Sequence, residues 1–143
     1  MIEQPARWRQ RHENFAKAVV LLDDAVRQRR HRHLSDLEQA GLVQRYEIVW
    51  ELGWKLLADC LKALGHELDV VAPRPVIRAA FAAGLIANGQ AWIDATDTRN
   101  MLSHLYDEKK AARAIEAIAT QYLAVMQALN EKLADDVWLG NSA

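Results

Sequence analysis

The chain has 143 residues, enough for one domain around one core and too few for two comfortable ones. Its formal charge of −1, with 26% charged and 51% hydrophobic residues, supplies no overall field toward nucleic acid, so any RNA binding has to come from a local patch. The single cysteine, Cys60, excludes an internal disulfide framework; with no apolar run as long as a membrane span and a polar start, MIEQPARWRQRHENF, a cytoplasmic protein is expected.

Helical periodicity runs nearly throughout. Between residues 6 and 31, Trp8, Phe15, Val19, Leu22 and Val26 form one apolar stripe. SDLE at 35–38 has the form of a capping box, which opens a second long helix to Leu64, interrupted or bent near Gly41. On that helix Tyr46, Trp50, Gly53, Leu57, Cys60 and Leu64 step along one face, Glu51 precedes Lys55 by one turn on the other, and Gly65 ends it. VAPRPV is expected as a proline-marked connection, and residues 75–83 as a brief helix stopped by Gly84.

A fourth helix is expected from about Asn88 to Tyr106, with Trp92, Ala95, Thr98, Leu102 and Leu105 as its core stripe. Asp107 reads as the N-cap of a fifth, buried along Ala111, Ile115, Ile118, Tyr122, Val125 and Leu129. These elements predict an all-α, antiparallel up-down four-helix bundle with a short extra helix, one domain over 1–143 and a flexible tail over 135–143 on which Trp138 can dock. Five tryptophans are many for such a core. Either Trp50 and Trp54 are partly covered by a second chain, or the excess is ordinary core with partial exposure.

Candidate chemistry is sparse. There is no H-E-x-x-H, no C-x-x-C and no acidic cluster at ligand spacing, and His31 and His33 flank an arginine, so no metal site and no cofactor are expected. Phosphate loops and nucleophile elbows are missing too. RQRRHRH (27–33) carries Arg27, Arg29, Arg30 and Arg32 without an acid. These side chains can hold RNA phosphates, or they can stabilise the C-terminal end of the first helix; the two readings are compatible.

DTRNMLSHLYDE (97–108) is the other candidate. A bare arginine-x4–6-histidine spacing is weak, since Arg7…His12 and Arg27…His33 match it as well. Only Arg99…His104 has a polar amide, Asn100, after the arginine and a tyrosine, Tyr106, two positions after the histidine. On an unbroken helix Arg99 and Tyr106 lie about 20° apart and Arg99 and His104 about 140°, so the latter pair would share a phosphate only across a broad face or in a cleft formed with a second copy. A purely structural alternative has His104 bonded to Asn100, with Arg99 paired to Asp97 or Glu108.

GLVQRYEIVWELGWKLLADCLKALG (41–65), RPVIRAAFAAGLI (74–86) and WIDATDTRNMLSHLYDE (92–108) resemble the nucleotidyltransferase substrate-binding branch of the HEPN superfamily, over roughly residues 34–130. The resemblance implies a dimeric helical bundle and a minimal nucleotidyltransferase as partner. It also implies a metal-independent endoribonuclease toxin, in which Arg99, Asn100 and His104 form the catalytic motif at the dimer interface and AMP attached to Tyr106 silences it. The alternative within the same branch is a non-catalytic subunit that presents substrate to the nucleotidyltransferase.

Overall fold

The computed structural model describes residues 6–103 and 107–140, and every regular element within them is helical. In chain order these are α1 (Arg7–His31), α2 (Asp36–Ala63), α3 (Pro73–Ala82), α4 (Gly89–Leu102), α5 (Glu108–Ala117), a π-helical turn (Ile118–Tyr122), α6 (Leu123–Lys132) and a 3-10 turn (Val137–Leu139). Neighbours run antiparallel, because contacts that ascend one helix descend the other. Arg11 meets Asp59 and Arg32 meets Glu38 between α1 and α2; Arg9 meets Asp136, His12 meets Asn130 and Arg29 meets Glu116 between α1 and the C-terminal rod. The result is the expected up-down bundle, with α3 packed on α2 and α4 as the extra helix.

The helix ends follow from local chemistry. Ser35 accepts from the Glu38 N–H while Glu38 accepts from the Ser35 N–H, a complete capping box. At the other end of α2, Gly65 has φ +87°, and the bonds Gly65 N–H to Lys62 O and His66 N–H to Leu61 O close a Schellman motif. Gly84 closes α3 in the same way, through Gly84 N–H to Phe81 O and Leu85 N–H to Ala80 O. Asn88 caps α4 by accepting from the Ala91 N–H, and Asp107 caps α5 by accepting from the Lys109 and Lys110 N–H groups.

Four expectations need correction. First, α2 is continuous through Gly41: a lone glycine costs about 1 kcal/mol in a helix interior, too little to break 28 residues anchored by a capping box. Second, α3 begins at Pro73, not 75; both prolines fall in the first turn, where no N–H is required by the helix. Third, α4 ends at Leu102 with Ser103 as its C-cap, and Ser103 Oγ donates to the Asn100 carbonyl. His104, Leu105 and Tyr106 lie outside the described residues, and the angles reckoned on an unbroken helix to Tyr106 lose their basis.

The fourth concerns the register of the last rod. Ala111, Ile115, Ile118 and Tyr122 are buried as expected, but beyond Tyr122 the buried positions are Leu123, Met126, Leu129 and Leu133, with Val125 only partly covered. The π turn lies between the two runs. It takes up one extra residue, so the face that meets α1 is phased differently from the face that meets α2 and α4.

One chain houses its tryptophans. Trp8, Trp50 and Trp92 are buried, Trp54 is partly buried, and Trp138 meets Trp8 edge-on at 4.8 Å between ring centroids. Gly53 makes room for this core: a Cβ there would stand 2.9 Å from Trp92 Cη2 and 3.1 Å from Phe15 Cε2.

Candidate functional site

The sequence placed Thr98 and Leu102 on the core stripe of α4 and Arg99 at its edge. The helix is in fact rotated. Ala91, Trp92, Ala95 and Thr96 are buried, Thr98 and Leu102 only partly so. Arg99 stands one turn beyond Ala95 and Thr96 and therefore continues the inward face.

The guanidinium lies over the Trp50 indole, 5.1 Å from its ring centroid. Arg99 Nε is buried and has no hydrogen-bond partner among the described residues, and the guanidinium forms no ion pair with them. The two acids that the sequence offered as structural partners do not serve: Asp97 is taken by Arg74 at 2.5 Å, and Glu108 is an exposed first-turn residue of α5. The result is a half-buried, permanently charged group held by stacking on one face and left with its donors free.

Three further contacts tie this turn of α4 to the bundle. Trp50 Nε1 donates to Thr96 Oγ1 at 3.0 Å, and Thr96 Oγ1 donates to the Trp92 carbonyl at 2.9 Å, so the ring beneath Arg99 is fixed in azimuth. Tyr46 donates its hydroxyl to the Ala95 carbonyl. Thr98 Oγ1 and the Tyr122 hydroxyl are 2.9 Å apart, and the Tyr122 ring stacks on Tyr46 at 5.8 Å and 24°. The π turn thus delivers a tyrosine beside Arg99, a common setting for such turns.

The charges of α2 respond to Arg99. Burial raises the Tyr46 phenol well above its ordinary range, Tyr122 and Glu47 add to this, and Arg99 opposes it. For Glu51, burial pulls upward, but hydrogen bonds from Lys55 and Trp54 and then the positive charges of Lys55 and Arg99 outweigh it, leaving the carboxyl below its ordinary value. Two hollows flank the site. One, of about 190 Å³, lies where Met101, Leu102, Val43, Glu47 and Lys110 meet; the other runs along the outer face of α2 past Glu47, Glu51 and Ile48, which is 47% exposed.

Asn100 is exposed on the same turn, while His104 and Tyr106 fall outside the described residues. The arginine run divides. Arg27 is paired with Asp23 at 2.9 Å, Arg29 with Glu116 and Arg32 with Glu38, which is held down at about 2 first by the Arg32 hydrogen bond and then by the Ser35 N–H. Arg30 keeps no partner among the described residues. Cys60 is buried, and burial pushes its thiol up to about 12, which removes it as a nucleophile. Among the described residues no group of three or more His, Cys, Asp or Glu is placed to hold a metal ion. No described helix is long and apolar enough to cross a membrane.

Trp50, Thr96 and Tyr122 were read from the sequence as core or left unremarked. The usable signal was the step from Ala95 and Thr96 to Arg99, which puts the arginine on a small-residue face opposite the Tyr46–Trp50 stripe.

An all-helical bundle presenting an unpaired arginine from the end of its fourth helix is the HEPN arrangement, and the comparisons agree. The family described as nucleotidyltransferase substrate binding protein like matches residues 10–135, and the chain belongs to it. Among relatives, a protein of Haemophilus influenzae called probable ribonuclease HepT is 32% identical over 97 residues, 66% of this chain and 66% of its own length. Two solved structures share the fold. A Thermus thermophilus protein has TM-score 0.71 and 28% identity, covering 85% of this chain and 99% of its own. A Haemophilus influenzae protein, described as revealing the fold of a substrate binding domain of a nucleotidyltransferase, has TM-score 0.73 and 25% identity, covering 87% and 99%.

Proposed function

We propose that this chain is the HEPN-type partner of a minimal nucleotidyltransferase and acts as a dimeric, cytoplasmic, metal-independent endoribonuclease toxin. The observation that carries this reading is the state of Arg99: half-buried over Trp50, charged, and with no described acid to neutralise it. A folding role would leave an arginine paired; an arginine waiting for phosphate has free donors. Its planar fork suits the charge that develops on phosphorus when a 2′-hydroxyl attacks. His104 takes the 2′-hydroxyl proton or protonates the departing oxygen, and Asn100 orients the histidine or a phosphate oxygen. The exposed Ile48 strip on α2, beside the same turn, is where a second copy would complete the site. AMP on Tyr106 would place a bulky anion against the arginine and block it.

The test is expression without the partner. Growth arrest is expected, with relief by Arg99→Ala or His104→Ala, RNA cleavage that persists in EDTA, and a tyrosine-linked AMP at Tyr106 after co-expression with the nucleotidyltransferase. Equal toxicity of wild type and both variants overturns the reading. The alternative, a non-catalytic subunit that presents substrate to the nucleotidyltransferase, is favoured by the description of the second Haemophilus structure. It predicts a stable complex with the partner and no cleavage by the partner-free protein.

A further inference from the structure

The C-terminal end of α1 and the first half of α5 border an open cleft of about 640 Å³, lined by Arg29, Arg30, His31, Arg32, His33 and Ala112 among others. Two of its arginines are already neutralised, Arg29 by Glu116 and Arg32 by Glu38, and both acids are used up in doing so. Arg30 and the side chains of His31 and His33 are exposed and make no hydrogen bond or ion pair with any described residue.

The opposite wall adds to this charge. Lys109, Ala112, Arg113 and Glu116 are spaced three, four and seven apart on α5, so they share one helix face. Ala112 lines the cleft and Glu116 reaches Arg29 across it, which sets Lys109 and Arg113 at its edge. Both are exposed and their side chains are unpaired among the described residues, unlike Arg9, Arg11 and Arg74, each held by an aspartate elsewhere on the molecule. One position on, Lys110 lines the hollow that includes Met101 and Leu102 of the Arg99 turn. The remaining acids at this end are Asp36, Asp107 and Glu108, and the side chain of Asp107 is occupied in capping α5.

A row of free cations therefore leads from the last turn of α4 across the start of α5 into the cleft. Its apolar lining residues Leu34 and Ile115 are buried, so it offers none of the protruding aliphatic or aromatic anchors that a protein partner would grip. A chain of phosphates is the ligand that such a surface suits. We propose that this cleft, with Arg30, Lys109 and Arg113 as its free cations, is a phosphate-binding subsite for a single RNA strand. That its strand continues to Arg99 rests on the ribonuclease reading.

The experiment measures binding, not cleavage. Full-length protein carrying His104→Ala is titrated with a short fluorescein-labelled single-stranded RNA, by anisotropy, over a range of salt. Arg30→Gln with Arg113→Gln is compared with Lys17→Gln with Arg78→Gln, which removes the same charge from exposed positions on α1 and α3; urea unfolding verifies that both pairs fold. The cleft pair is expected to weaken binding about tenfold and to flatten the slope of log K against log salt by about 1.4, that is ~0.7 for each lost phosphate contact, while the control pair changes neither. Equal losses in both pairs, unchanged affinity in the cleft pair, or a cleft pair that holds RNA but no longer holds the nucleotidyltransferase all overturn the assignment. If wild-type protein cuts no RNA, the ribonuclease reading falls, and these binding outcomes still decide the cleft.

Discussion

Replacing Arg99 by methionine should leave the fold at least as stable as it is now. The buried Nε has no described partner, and an orphaned polar group of this kind costs about 1–3 kcal/mol. Against that, Arg99→Met forfeits the stacking on Trp50, about 0.5–1 kcal/mol for a part-exposed cation, and a favourable charge in the last turn of α4, about 0.3–1 kcal/mol. Methionine keeps an apolar stem over the indole and adds a sulfur–ring contact of about 0.3–1.5 kcal/mol. The net runs from no change to ~2 kcal/mol of added stability, small enough to need care in the assay. Urea unfolding followed by tryptophan fluorescence at constant m reads it. A double-mutant cycle with Trp50→Leu should return a coupling of about 0.5–1 kcal/mol between the two residues. The same variant must also abolish toxicity. A loss of more than about 1 kcal/mol in Arg99→Met would refute the reasoning, because it would show that the guanidinium has a partner that the fold needs.

Gly53→Val should cost about 1–3 kcal/mol, read as a lower urea midpoint, because its side chain enters space held by Trp92 and Phe15. Tyr122→Phe removes the hydroxyl bonded to Thr98 and should cost ~1 kcal/mol by the same measurement, with the ring stack on Tyr46 retained. Glu38 is depressed by Arg32 and the Ser35 N–H, so its contribution is present above the ordinary carboxylate range and fades as pH falls toward about 2. Thermal midpoints of wild type and Glu38→Gln should accordingly differ at neutral pH and converge in acid; a gap that stays constant with pH would contradict this.

Most of the fold was legible because it depends on local and periodic information. The stripe Trp8–Val26, the box at Ser35 and Glu38, and the stops at Gly65 and Gly84 each name a single geometry. The misreadings arise where tertiary packing chooses between near-equal local options. Gly41 is a weak breaker outvoted by its neighbours, and the π turn has no residue signature, so the shift from Val125 to Met126 could not be foreseen. At the candidate site the sequence supplied Arg99 and its neighbours but not their orientation. A helix with Ala and Thr at alternate edges can roll by one position, and it is the bulk of Trp92 against Gly53 that selects the roll which carries Arg99 over Trp50.

The π turn also has a bearing on how this family can change. Deleting any one residue between Ile118 and Tyr122 would restore ordinary helical pitch and turn everything after it by about 100°. Met126, Leu129 and Leu133 would leave the core together, and the Trp138 ring would lose its seat on Trp8, far from the deletion itself. The spare residue acts as a clutch between two gears, one meshed with the Arg99 end of the bundle and the other with α1. Either end can drift in sequence on its own, but neither tolerates a change in the length of the rod that joins them.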